Sequence, residues 1–204
     1  MNAKTCLEKL KKVGVLSFAT VDENNNPQIR CISAIHYEED SFFFLTARGK
    51  NFCKELLNNP KVQILAYTKF KEMIRVSATA YPAKKDEQRQ KVNLIFEEQP
   101  YLKNVYPDNT NEICIIFEIK NAEIEYFNLR VKPIFREVYT FGNAKINKKG
   151  YFITNKCISC QKCVNVCPQK AIKQGNQNTI KQENCLHCGA CFEICPVNAI
   201  ERRQ

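Results

Sequence analysis

The segment Cys157-Ile-Ser-Cys160-Gln-Lys-Cys163-Val-Asn-Val-Cys167-Pro168 recurs 28 residues later as Cys185-Leu-His-Cys188-Gly-Ala-Cys191-Phe-Glu-Ile-Cys195-Pro196. The pair that follows, Ala171-Ile172 and Ala199-Ile200, keeps the same offset. Each copy has the spacing C-x2-C-x2-C-x3-C-P. A thiolate at every third residue of a tight loop directs three sulfurs at one centre, while the fourth Cys, followed by Pro, opens a short helix that points its sulfur elsewhere. Residues 151–204 therefore hold two copies of one small unit with little room for a core. Eight of the 12 cysteines lie there. A disulfide-rich secreted scaffold would spread its cysteines and carry an apolar leader. Residues 1–6 form no such leader, and no apolar run approaches the ~18 residues of a membrane span, so a cytoplasmic protein away from membranes is expected.

The doubled motif resembles the bacterial two-cluster ferredoxin family across residues 151–204, matching it at every Cys and Pro. The resemblance implies one 4Fe–4S cluster on Cys157, Cys160, Cys163 and Cys195, and another on Cys185, Cys188, Cys191 and Cys167, both of the low-potential kind. The alternative, zinc, needs only four ligands from two C-x2-C knuckles and leaves the doubled run unexplained. His187 lies inside a cluster loop, but eight thiolates already complete two sets, so a surface role is expected for it. Two clusters also change the charge argument. The chain's formal +10 falls to about +6 once each cluster with its thiolates contributes about −2. The basic runs at residues 69–71 and 145–149 are short and read as solvated loops rather than a basic face with interleaved aromatics, which argues against nucleic acid. They suit an acidic redox partner better.

A composition break at residues 145–150 separates this tail from a different text. Leu7, Leu10 and Val13 at helical spacing predict an opening helix ended by Gly14. Strands are predicted at residues 15–21 and 28–36, joined by an Asn-rich turn with Pro27, and at 42–46. A helix over 49–59 stopped by Pro60, strands at 62–67 and 74–81, a helix over 84–98, and a long strand or hairpin over 113–126 follow. Residues 127–150 read as a connecting loop with a partial strand at 137–141. Many short strands with few helices predict a mainly β chain. The expected architecture is a split β-barrel with peripheral helices over residues 1–145, plus a small α+β two-cluster ferredoxin-like domain over 146–204.

The barrel part resembles the FMN-binding split β-barrel family that includes pyridoxamine 5′-phosphate oxidase and the flavoredoxin-like reductases. The residues that carry the resemblance are Gly14-Val-Leu-Ser-Phe-Ala-Thr20, Arg30 on its strand, Phe43-Phe-Leu-Thr46, Gly49-Lys50 and Leu57-Asn-Asn-Pro-Lys-Val62. The resemblance implies that Arg30, Cys31, Ile32 and Ser33 line the flavin ring and phosphate. It implies that Leu45, Thr46, Arg48, Gly49, Lys50 and Asn51 hold phosphate and ribityl. Independently, a helix start bearing free N–H groups, two cations and a hydroxyl is a phosphate site. Taken singly, Arg48 and Lys50 read as a solvated helix start and Arg30 as an exposed strand residue. Cys31 and Cys53 read as buried apolar residues, and His36 as a surface residue at a strand end. The chain departs from the oxidase at Asn51-Phe52, where that enzyme carries an Arg-Lys pair, and near Met73, where it carries a flavin-contacting Gln. The oxidase's C-terminal basic substrate motif is absent, so vitamin B6 oxidation is not expected.

Flavin joined to two clusters suggests an oxidoreductase of anaerobic metabolism, because clusters carry single electrons and flavin collects two. The expected flow runs from a low-potential donor, such as ferredoxin or another acidic redox protein, through the clusters to FMN and a small-molecule substrate. The alternative is a non-enzymatic electron carrier or redox sensor. No G-x-G-x-x-G occurs, so no built-in nicotinamide domain is expected. The barrel family's habit implies a homodimer with flavin at the interface; the 113–126 apolar stretch suits an interface strand, and equally a strand buried within one chain.

Overall fold

In the computed structural model, which describes residues 1–203, the chain divides into two compact units. The first comprises Met1–Thr68, Ile74–Ile124 and Tyr139–Ala144; the second comprises Lys69–Met73, Glu125–Val138 and the segment from Lys145 onward. In chain order the elements are α1 (Ala3–Val13), β1 (Leu16–Val21), β2 (Pro27–Ile32), β3 (Ile35–Tyr37), β4 (Phe42–Ala47) and α2 (Asn51–Asn58). Next come β5 (Lys61–Tyr67), β6 (Glu72–Thr79), β7 (Tyr81–Pro82), α3 (Gln88–Glu98), α4 (Leu102–Val105), β8 (Cys114–Ile119), β9 (Ala122–Asn128) and β10 (Phe135–Phe141). The tail holds β11 (Gly150–Ile153), α5 (Lys162–Val166), β12 (Ile172–Lys173), β13 (Thr179–Ile180), α6 (Ala190–Glu193) and β14 (Ile200–Arg203). The chain is mainly β, as its short strand-length runs predict. Among the described residues no helix is long and apolar enough to cross a membrane.

Local chemistry sets the boundaries. Asn2 caps α1 by accepting from the Thr5 amide at 2.8 Å, and Gly14, at φ 77°, returns its N–H to Leu10. Leu16, Phe18 and Thr20 alternate inward along β1, which pairs with β2 through a turn whose Asp22 carboxylate accepts from the Asn24 and Asn26 amides. The strands form a six-stranded sheet in the order β10-β9-β6-β5-β1-β2 and a four-stranded sheet in the order β3-β4-β8-β7. β4 is buried on both faces, which explains its unbroken apolar run. Phe44 on β4 lies edge-on to Phe18 of β1 at 4.9 Å, and stacks on Phe52 of α2 and Phe117 of β8 at 5.6 and 5.9 Å. These rings join the two sheets and fix the first turn of α2.

Three expectations are corrected. Residues 28–36 are not one strand, because the chain turns at Ser33 and Ala34, where the Ile35 amide bonds back to Ser33 and the Ala34 carbonyl accepts from Leu45. β2 thus stays with β1 while β3 pairs with β4 in the other sheet. Likewise residues 113–126 are neither one strand nor a paired hairpin: β8 belongs to the four-stranded sheet and β9 to the six-stranded one. Ile116, Phe117 and Ile119 of β8 are fully buried within the chain, while Ile115 is half-buried. Finally, α3 starts at Gln88 rather than 84, because the Gln88 side chain reaches the Ile116 main chain, donating to its carbonyl and accepting its amide.

In the second unit the repeat is visible in the backbone, where the fourth Cys of each copy follows a short helix, α5 or α6, rather than opening one as expected. Positive φ occurs at Ser159 and His187, at Gln161 and Gly189, and at Lys170 and Asn198, each pair 28 residues apart. β12 pairs with β13 as β14 pairs with β11.

The stacked rings generate a prediction for the first unit. Phe44→Ala should destabilise it by about 3–5 kcal/mol, as expected for emptying a fully buried aromatic position. Denaturant unfolding followed by far-ultraviolet circular dichroism measures this.

Candidate functional site

The second unit holds two small cavities ringed by thiols. One is lined by Cys157, Cys160, Cys163 and Cys195. The other is lined by Cys185, Cys188, Cys191 and Cys167. Each cavity thus combines three cysteines of one repeat with the last of the other. The Cys167 and Cys195 sulfurs accept main-chain N–H groups from Ala171 and Ala199, at 3.3 and 3.2 Å. Ser159 N–H donates to Cys157 Sγ at 3.5 Å and Asn178 Nδ2 to Cys163 Sγ at 3.6 Å. Such donors suit negatively charged sulfur.

The fit to a metal cluster can be tested on these residues. The Asn178 main-chain N–H is the foremost influence holding the Cys157 thiol below its ordinary range. Burial pushes the Cys185 thiol up, and pushes Cys191 up to about 11 with help from neighbouring sulfur. Binding at that cavity must therefore displace protons, and a strongly cationic core does so. A tetrahedral zinc site needs its sulfurs about 2.3 Å from one point. Among the described residues no three His, Cys, Asp or Glu side chains converge in that way, whereas four thiols stand around each cavity. Four thiols around each cavity are the ligand set that a 4Fe–4S cluster takes.

His187 is not the surface residue its sequence context predicts. It is half-buried, its Nδ1 bonds to the Arg136 guanidinium, and burial, then Arg136, holds its pKa down to about 4. Arg136 Nε lies 3.3 Å from Glu125 Oε1, an ion pair without hydrogen-bond geometry, and its guanidinium covers the Phe127 ring at 4.6 Å.

In the first unit Arg48, Gly49, Lys50 and Asn51 form the start of α2, and Arg30 reaches its first turn. Lys50 is its N-cap residue, with no side-chain cap hydrogen bond, and its ammonium stands 6.0 Å from the Tyr106 ring. The amides of a first helical turn have no intrahelical acceptor, so Asn51 presents N–H groups here. Arg48 holds the preceding loop by donating to the Glu112 carbonyl at 2.7 Å. Gly49 is exposed with open space around its Cα. Lys50, Arg48 and Arg89 together bear on Cys114, whose thiol burial nevertheless pushes up. Ser33 Oγ is 2.7 Å from the Tyr101 hydroxyl. Leu45 and Thr46 are buried in β4, so neither presents a side chain to the surface.

Arg30 is neither an exposed strand residue nor a bare cation. Its guanidinium donates to Glu55 at 2.6 Å and to the Thr20 hydroxyl, and lies 4.5 Å over the Phe52 ring. Sequence reasoning missed Thr20, Phe52 and Glu55. The available signal was Glu55 itself, a carboxylate among Phe52, Cys53 and Leu56 on the buried side of α2, which demands a cation. Cys53 is buried as expected, but Cys31 is exposed, because it falls on the outer phase of the edge strand β2. His36 is also more enclosed than expected: it stacks on Phe43 at 4.8 Å and bonds to Glu98 at 2.9 Å.

Comparison with known proteins finds two families along the chain. Residues 149–196 match the family model of the 4Fe-4S dicluster domain, and residues 3–120 that of pyridoxamine 5′-phosphate oxidase. The pyridoxine/pyridoxamine 5′-phosphate oxidase of Enterobacter sp. (strain 638) is 36% identical over 62 residues, covering 30% of this chain and 28% of the relative. That of Escherichia coli O1:K1 / APEC is 33% identical over 63 residues, covering 31% and 29%. The chain thus spans less than a third of the length of these curated relatives. Among solved structures, a NimC/NimA family protein from Clostridium acetobutylicum superposes with a TM-score of 0.58 at 25% identity, over 68% of this chain and 91% of that one. A pyridoxamine 5′-phosphate oxidase-related, FMN-binding protein from Nostoc punctiforme PCC 73102 gives 0.51 at 15% identity, over 69% and 92%. The six- and four-stranded sheets are those of a split barrel, the tail carries a 4Fe–4S dicluster domain, and the chain belongs to the pyridoxamine 5′-phosphate oxidase family.

Proposed function

We propose that the chain is an iron–sulfur flavoprotein oxidoreductase in which electrons from a low-potential donor reach FMN by way of two 4Fe–4S clusters and reduce a small-molecule substrate. The observation that carries this reading is the presence, in one chain, of two four-thiol cavities and of a cationic helix start on a split barrel. Clusters supply one-electron steps and flavin gathers two. The relatives' substrate is not carried over, because the similarity covers so little of them and their basic C-terminal motif is replaced by the dicluster domain.

Each proposed role follows from a residue's place. Lys50 and the first-turn amides at Asn51 take the flavin phosphate; Arg48 and Gly49 shape the loop that presents them. Arg30, held by Glu55 and Thr20 over Phe52, offers its remaining donors beside the same turn. The main chain at Cys31 and Ile32, with the Ser33 hydroxyl, faces the ring system, and buried Leu45 and Thr46 support it from behind. A ferredoxin or another acidic redox protein is the proposed donor, since residues 145–182 hold eight lysines and no Asp or Glu.

A homodimer is proposed on a different face from the one its sequence suggests. The outer side of the six-stranded sheet leaves Val15, Ile29, Leu65 and Tyr67 exposed, with Ile29 72% accessible. Cys31, Ser17 and Leu65 form one cross-strand row of this surface. An apolar patch of this kind marks an interaction site.

Three outcomes test these proposals. Anaerobically purified protein should contain about eight iron and eight sulfide per chain, with one flavin, and Cys167→Ala should damage the cluster on the second repeat. Loss of only the first-repeat signal in paramagnetic resonance would overturn the crossed ligand sets. Light scattering should give about 47 kDa, twice the chain's 23.6 kDa, and Ile29→Lys with Leu65→Lys should return the monomer mass. Lys50→Ala should weaken FMN about 10- to 150-fold, the equivalent of losing one charge-assisted contact worth about 1.5–3 kcal/mol, while riboflavin affinity and iron content stay unchanged. Full FMN retention on dilution would make Lys50 an ordinary solvated residue.

A further inference from the structure

The two cysteine cavities share a backbone plan but not what faces their sulfurs. The plan fixes which positions correspond. Ile172 pairs with Ile180 as Ile200 pairs with Ile153, and the Lys181 amide bonds to Ala171 as the Thr154 amide bonds to Ala199. Position 178 therefore corresponds to 151, and position 162 to 190. Asn178 and Lys162 line the first cavity; Tyr151 and Ala190 line the second. At both equivalent positions the first site carries a donor or a positive charge where the second carries an aromatic ring or a methyl group.

Asn178 is held for this task. It is only 1% exposed, and its Oδ1 accepts the Gly175 amide at 3.2 Å, which leaves its NH₂ directed at Cys163 Sγ, 3.6 Å away. Its main-chain N–H faces Cys157. One buried residue thus hydrogen-bonds one of the four sulfurs through its side chain and turns its main-chain N–H toward a second. Ser159 Oγ closes the loop over the site by donating to the Gly175 and Asn176 carbonyls. Around the second site, the cation that bears on Cys185 is Arg136, which is ion-paired with Glu125. Lys170 is exposed and outside that cavity's lining. Solvent access differs at one pair only: Cys157 is half-buried where its counterpart Cys185 is buried, whereas Cys160 and Cys188 are both exposed.

Uptake of one electron makes an iron–sulfur centre one charge more negative. N–H donors to its sulfurs and a nearby ammonium stabilise that added charge. We propose that Asn178 and Lys162 make the Cys157, Cys160, Cys163 and Cys195 site the higher-potential member of the pair, the site that takes the first electron. This rests on the reading that each cavity takes one 4Fe–4S cluster.

The test is a potentiometric titration of the full chain, purified anaerobically and followed by paramagnetic resonance. Cys160→Ala identifies the first site's signal by removing it. In the wild type that signal should be the first to appear as the potential is lowered. Asn178→Leu and Lys162→Met should each move its midpoint to lower potential and leave the other midpoint in place. Ala190→Lys should raise the other midpoint. Lys162 is exposed, so its variant decides the matter if Asn178→Leu does not load metal. Eight iron per chain with unchanged midpoints in Lys162→Met, or a first signal that survives Cys160→Ala, overturns the assignment. Four iron per chain in the wild type instead overturns the two-cluster reading beneath it.

Discussion

Each ring of thiols in the second unit takes three members from one repeat and its fourth from the other. Everything else in that unit depends on this exchange. Its helices, Lys162–Val166 and Ala190–Glu193, are one turn or little more, too short to persist alone. Its apolar cluster rests on Tyr151, Ile172 and Ile200 with cysteines as partners. A segment so poor in ordinary core needs a second source of cohesion, and eight thiols brought around two cavities supply the place for it. The exchanged cysteine also ties the repeats together, because neither ring closes within its own copy.

The first unit solves a different problem by the usual means. Four phenylalanines, Phe18, Phe44, Phe52 and Phe117, join strands of both sheets to the helix that follows β4. The same Phe52 carries the Arg30 guanidinium on its face, and Glu55 one turn later anchors it. Core packing and charge placement are thus made by one turn of helix. This is why the start of α2, rather than the strand residues before it, gathers the cationic groups at the surface.

Much of this was legible in the sequence, because the strongest signals are spacings. The doubled cysteine run foretold both rings, and the opening helix, the first hairpin and the buried β4 followed from period and turn residues. The failures share one physical cause. A period of two shows that Gln28 and Ile35 lie on extended chain, but not that the chain changes sheets between them at Ser33. The division of β8 from β9 was hidden for the same reason. Side chains whose partners are distant in sequence were equally opaque: His187 meets Arg136 across 51 residues, and Arg30 meets Glu55 across 25. Asn178 sits in a polar stretch that reads as loop, and only the fold shows it buried against sulfur.

The paired left-handed residues have a consequence of their own. Ser159 and His187, Gln161 and Gly189, and Lys170 and Asn198 share backbone conformation while differing in chemistry. The main chain alone therefore sets where the sulfurs stand. Side chains at these turns are free to diverge after a duplication without disturbing the rings, so two copies of one ancestral loop can acquire unequal electron affinities while their shape stays under common constraint.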